Sequence, residues 1–189
     1  MPAGWKTDAM SQANIPLLDT RRGNVPAASL PPRILVAGVG YQFLRDMSAG
    51  PALIELMASM HWPEGVEFED LSYGPVGVMH NLDARLPYQQ IIFIAGMKRN
   101  RRPGEIYSYR WEAPAASDED VHACMTEAIG GVISLDNLLV IASYFKKLPD
   151  DVAVIEIEAQ EDTWGEGFTP VVAGAFPAVI AEVRARLRG

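Results

Sequence analysis

The 189-residue chain has little of what usually marks chemistry: one cysteine and three histidines. A lone Cys124 excludes an internal disulfide framework and fits a reducing cytoplasm, the compartment we expect. No apolar run reaches the roughly 18 residues of a membrane span. Positive charge is scarce too, with 16 Lys and Arg against 24 Asp and Glu and a net charge of −8. That argues against nucleic acid or an anionic membrane as partner, although a local basic patch can persist. There is no internal repeat and no Gly-x-Ser-x-Gly elbow, so a serine hydrolase has no support. The pair Arg21-Arg22 is followed by "GNVPAASLPP", too short and too broken by proline to be an export signal.

What is present is a core. Hydrophobic residues make up 49% of the chain, enough for one folded domain. Residues 1–32 are rich in Pro, Ala, Ser and Asn without periodicity, and read as an arm, flexible alone or ordered on a partner. The domain is expected over 33–189. "ILVAG" (34–38), "VEFED" (66–70) and "QIIFIAG" (90–96) read as strands, the first and third apolar throughout as buried parallel strands are. "EIYSYRW" (105–111) alternates, and "DVAVIEIEAQ" (151–160) is a further strand. Helices are expected from Ser48, with Ser48 as cap, Pro51 in the first turn and Leu53, Leu56, Met57 and Met60 at helical spacing. Others follow through His80 and Leu82, from Ser117, from Ser134, and over 171–187, where Pro177 should bend the last. Strands alternating with helices predict a three-layer α/β sandwich around a mostly parallel twisted sheet.

Few constellations carry chemistry. "GVGYQF" offers two glycines, but Phe43 stands where a dinucleotide fingerprint needs a third for close helix–strand packing. His61, His80 and His122 have no patterned nucleophile and read as exposed. His122 and Cys124 would point to different faces of a helix, which excludes a shared metal. The loop of Lys98, Arg99, Arg101 and Arg102 is the one concentrated positive feature of an acidic chain. It reads as a solvated turn or an electrostatic docking site for a partner.

Four segments in order resemble the nickel–iron hydrogenase maturation endopeptidases: "ILVAGVG" with Leu44, Asp46 and Gly50; "IIFIAGMKRNRRPGEIYSYRW"; "SLDNLLVIASY"; and "EDTWGEGFTPVVAGAFPAVIAEV". The resemblance spans 33–187. It implies the fold of that family and a role around the hydrogenase large subunit, whose C-terminal extension family members remove after nickel insertion. It also implies three nickel-sensing side chains: an acid in the first loop, an aspartate ending the central strand, and a histidine before a later helix. Carried over, these fall on Met47, on Gly96, and near Gly130 or Gly131. A thioether suits Cu(I) better than Ni²⁺, and glycine has no side chain to donate.

We therefore expect no metal, cofactor or catalytic residue. Met47, Gly96 and Gly130 should line an open cleft at the family's metal-site positions. Asp46 is the possible residual ligand, with Asp70, Glu127 and Asp136 as weaker substitutes. Asp46 and Asp70 have simpler uses, bonding amides of their own loops, and Asp136 an exposed place on its helix. The resulting expectation is a non-catalytic relative that binds a hydrogenase large subunit or related protein as assembly chaperone or accessory subunit. The alternatives are an active endopeptidase with displaced ligands, and a small-molecule binder on the same fold.

Overall fold

A computed structural model describes residues 32–188 except 86, 131 and 132. The arm expected over 1–32 thus lies outside the described residues apart from Pro32, as does Gly131. Five strands form one sheet in the order β2-β1-β3-β5-β4. They are β1 (Ile34–Val39), β2 (Val66–Asp70), β3 (Gln90–Met97), β4 (Ile106–Arg110) and β5 (Asp151–Glu158). All neighbours are parallel except β4, which runs antiparallel to β5 at one edge. The three strands β1, β3 and β5 are buried on both faces, which explains the unbroken apolar runs of β1 and β3, while β5 carries Glu156 and Glu158 among its apolar residues.

Five helices complete the three layers: α1 (Ala49–Ala58), α2 (Pro75–Asp83), α3 (Asp118–Glu127), α4 (Leu135–Tyr144) and α5 (Pro170–Arg186). On one face, Val36, Ile92, Ile94, Ile155 and Ile157 pack against α1 and α5 through Leu53, Met57, Val172 and Val183. On the other, Leu35, Phe93, Met97 and Val154 pack against α2, α3 and α4 through Val78, Val121, Leu138 and Ile141. The alternation along each strand assigns its side chains to these two cores.

Helix starts follow their caps. Ser117 and Asp120 form a reciprocal capping box on α3, and the Ser134 hydroxyl accepts from the Asn137 amide at the head of α4. Ser48 differs from expectation. It precedes α1, yet its hydroxyl bonds the Tyr41 carbonyl and the Leu44 amide instead of the helix. The turn before α1 needs that hydroxyl more than the helix does. The buried stripe of α1 also differs: Ile54 is buried and Leu56 is exposed. Pro170 opens α5 one residue earlier than expected, and Pro177 lies inside it.

One contact sets the depth at which α1 lies on the sheet. A Cβ on Gly50 would stand 2.5 Å from both the Ile94 and Val39 carbonyl oxygens, and one on Gly38 would stand 2.7 Å from the Gly50 carbonyl. Only hydrogen at both positions lets the helix backbone touch β1 and β3. We predict that Gly50→Ala destabilises the fold by about 3 kcal/mol, since backbone and not a flexible side chain must yield. Urea unfolding of the variant measures this, and a change below about 0.5 kcal/mol would contradict the contact.

Candidate functional site

In this sheet, β1 is followed in sequence by β2 on one side and lies beside β3 on the other. The carboxyl ends of β1 and β3 therefore flank the point where the winding reverses, the usual ligand position in open α/β sheets. A small cavity of about 50 Å³ sits there. It is lined by Val39, Gly40 and Tyr41 at the end of β1, by Met47, by Ala95, Gly96 and Met97 at the end of β3, and by Ile133 to Leu135. A water occupies roughly 30 Å³ of bulk liquid, so this space is far below what a peptide needs. Among the described residues the space at the expected cleft is a small one. Large apolar side chains and close backbone line it.

The sequence brought Met47 and Gly96 to this place, and the structure puts both in the cavity wall. Gly96, however, contributes only backbone. A Cβ there would lie 2.2 Å from the Asp46 carbonyl oxygen and 3.1 Å from the Met47 Cα. Its missing side chain would run into the first loop and not into the cavity. The neighbouring Ala95 belongs to the opposite core together with Val39 and Met97, and its methyl group lines the cavity. A side chain meant to face Met47 would therefore come from position 95. Gly130 lies in a single 3₁₀ turn, Ala128–Gly130, after α3, while Glu127 ends α3 itself.

The walls offer no ligand set for Ni²⁺. Two thioethers, one serine, one tyrosine and aliphatic groups surround the space, where that ion would favour carboxylate and imidazole. Among the described residues no group of three or more His, Cys, Asp and Glu stands close enough to hold a metal. His61, His80 and His122 are all exposed and separate. Asp70 accepts the Ser72 amide at 2.9 Å, the local bond expected of it.

Asp46 has a structural role that the sequence did not reveal. It is fully buried in a 3₁₀ turn, Arg45–Ser48. One carboxylate oxygen accepts the Gln160 and Glu161 amides at 3.0 and 2.9 Å and the Thr169 hydroxyl at 2.8 Å. The other accepts the Thr169 amide at 2.8 Å. The bonds leave the turn for the loop after β5 and the N-cap of α5, not for amides of its own loop as expected. Four donors satisfy a buried carboxylate and leave it no reason to turn toward a metal.

The basic loop is also reassigned. Arg99 and Arg101 are only partly exposed and converge on Glu156, which is 1% exposed on β5. Arg99 meets Glu156 at 2.9 Å and grips Asp136 of α4 through two bonds of 2.8 and 2.7 Å. Its amide also donates to both oxygens of buried Glu158. Lys98 pairs with Asp162 at 2.6 Å. Of the four cations, only Arg102 is exposed and lacks a hydrogen-bond or ion-pair partner among the described residues. The reason is electrostatic: Glu156 inside an apolar strand must be neutralised, and the adjacent loop supplies the charge, while Glu158 is satisfied by a backbone amide of that loop. The bond to Asp136 and that to Glu156 push the Arg99 pKa further up. Burial and the neighbouring Glu156 carboxylate, which accepts the Tyr109 hydroxyl at 3.0 Å, raise the Tyr109 pKa well above its ordinary value. The sequence signal was there in "VIEIEA", where acids alternate with isoleucines.

Fold and site together define a three-layer α/β protein with a small cavity at its topological switch point. No protein-family model matches the chain. No curated protein matches it either. Solved structures do. A hydrogenase 2 maturation peptidase from a Thaumarchaeota archaeon is 26% identical, with a TM-score of 0.58 over 82% of this chain and 97% of the other. The hydrogenase maturating endopeptidase HybD from E. coli is 22% identical, with a TM-score of 0.59 over 82% and 92%. The [NiFe] hydrogenase maturation protease HycI from Thermococcus kodakarensis is 15% identical, with a TM-score of 0.60 over 83% and 93%. The chain resembles the hydrogenase maturation proteases and has their α/β fold.

Asp46→Ala would leave three backbone amides and a hydroxyl without their acceptor. We expect it to lower stability by about 3 kcal/mol or more in urea unfolding. A loss under about 1 kcal/mol would contradict a structural clamp.

Proposed function

We propose that this chain is a non-catalytic relative of the hydrogenase maturation proteases. It binds a hydrogenase large subunit or a related protein as assembly chaperone or accessory subunit. The observation that carries this reading is the cavity wall: at the position where the fold would take a ligand stand Met47, Ala95, Ile133 and Leu135. The endopeptidase alternative needs a metal-binding carboxylate, and its best candidate, Asp46, would have to give up four hydrogen bonds. The resemblance supports the partner class, by analogy of fold. A reducing cytoplasm, where the thiol of Cys124 persists, is the compartment that this role requires.

Affinity purification of the full chain from its native cells tests the reading. The expected result is a bound large-subunit-like protein with its C-terminus intact by mass spectrometry. Calorimetric titration with Ni²⁺ should show no stoichiometric site. A trimmed C-terminus that depends on this protein, or a Ni²⁺ site abolished by Asp46→Ala in a folded variant, would overturn it.

A further inference from the structure

The switch-point cavity is small for a binding module, and the neighbouring loop supplies a larger exposed surface. Phe43 has a left-handed backbone, φ 61°, which a bulky side chain adopts only at a cost of about 1 kcal/mol or more. Arg45, two residues on, is also left-handed at φ 43°. The loop is held in this form from outside: the Gly165 amide donates to the Phe43 carbonyl at 2.7 Å, and the Arg45 amide to the Gly165 carbonyl at 3.1 Å. The conformation presents the Phe43 ring to solvent, 48% exposed, against Trp164, which is 77% exposed. Their ring centroids are 5.9 Å apart. Neither ring gains much from folding in this position, whereas a paired Phe and Trp form a strong anchor for a partner.

Phe43 also forms one wall of an open groove of about 520 Å³ lined by Pro51, Ala52 and Ile54. The groove's charged lining is acidic, from Glu55 and Asp70. Neither carboxylate forms an ion pair with a described residue, though half-buried Asp70 accepts the Ser72 amide, and exposed Glu166 near Trp164 has no ion pair either. The cations nearby are committed: Arg45 to Glu161 at 3.3 Å and Lys98 to Asp162 at 2.6 Å. An apolar floor with uncompensated acids at its rim complements a segment of opposite character.

We propose that the Phe43–Trp164 pair and this groove are the docking surface for an apolar segment of a partner protein flanked by lysine or arginine. The apolar side chains cover Phe43, Trp164 and Ile54, and the cations reach Glu55 and Asp70. The proposal rests on the binding-module reading but names a surface that reading does not require.

A fluorescein-labelled peptide of ten residues, three leucines among four lysines, is the probe, with a second peptide in which glutamates replace the lysines. Anisotropy on the full chain should show saturable binding of the basic peptide and at least tenfold weaker binding of the acidic one. Trp164→Ala removes an exposed ring without touching the core, and should weaken the basic peptide about tenfold or more. Glu55→Lys should weaken it comparably and flatten its salt dependence. Amide exchange should show protection over 41–45 and 161–166 when the peptide binds. No saturable binding, or binding unchanged in Trp164→Ala with a native circular dichroism spectrum, would overturn the proposal, because nonspecific attraction to an acidic chain needs no Trp164. Sedimentation showing a dimer dissolved by Trp164→Ala would overturn it in favour of a second copy as occupant. A large subunit still co-purified by Trp164→Ala and Glu55→Lys would sink the docking surface and spare the function above. Specific peptide binding without any co-purified large subunit would do the reverse.

Discussion

The site end of the molecule depends on one buried carboxylate. Asp46 gathers two amides from the segment after β5 and both the amide and hydroxyl of the α5 cap, all more than a hundred residues away in sequence. It holds a short turn beneath α1, and that turn brings its carbonyl so close to β3 that only glycine fits at position 96. The same turn places Met47 over the switch-point cavity. Setting Met47 in the cavity wall and excluding a side chain at Gly96 are thus two results of one clamp. A group bonded this completely in the interior is a structural element first, whatever its residue type suggests.

The strands and helices were legible in the sequence because their signals are local. Unbroken apolar runs in β1 and β3 mark strands covered on both faces, and Ser117 and Ser134 announce the helices that they cap. The site was legible in position but not in detail. That Asp46, Met47 and residue 96 converge followed from resemblance. Which face of β3 looks at Met47 did not, because a strand's alternation shows two faces without saying which is which. Ala95 therefore went unnoticed beside Gly96. The role of Asp46 could not be read either, since three of its four donors are backbone amides, which leave no trace in residue identity.

The basic loop shows a different limit. Lys98, Arg99, Arg101 and Arg102 look alike in a string of letters, yet Arg99 and Arg101 serve the interior while Arg102 faces water. What separates them is Glu156, some 55 residues later, at a strand position where water cannot reach. Long guanidinium stems can lie along the sheet while their heads meet buried acid, which a lysine does less well. Charge in this protein is thus arranged in two ways. Around Glu156 it is neutralised internally, and along the groove beside Phe43 it is left open.

The placement of β4 has a consequence for synthesis. Among the described residues its only partner in the sheet is β5, which leaves the ribosome about 40 residues later, roughly 2 to 8 s at ordinary elongation rates. During that interval Tyr107 and Tyr109 lie on a nascent strand with neither edge paired, and Arg99 and Arg101 have not met Glu156. The chain must emerge through this stage with an aggregation-prone ribbon exposed. Once β5 arrives, Arg99 and Arg101 turn inward to Glu156, while Lys98 and Arg102 stay at the surface.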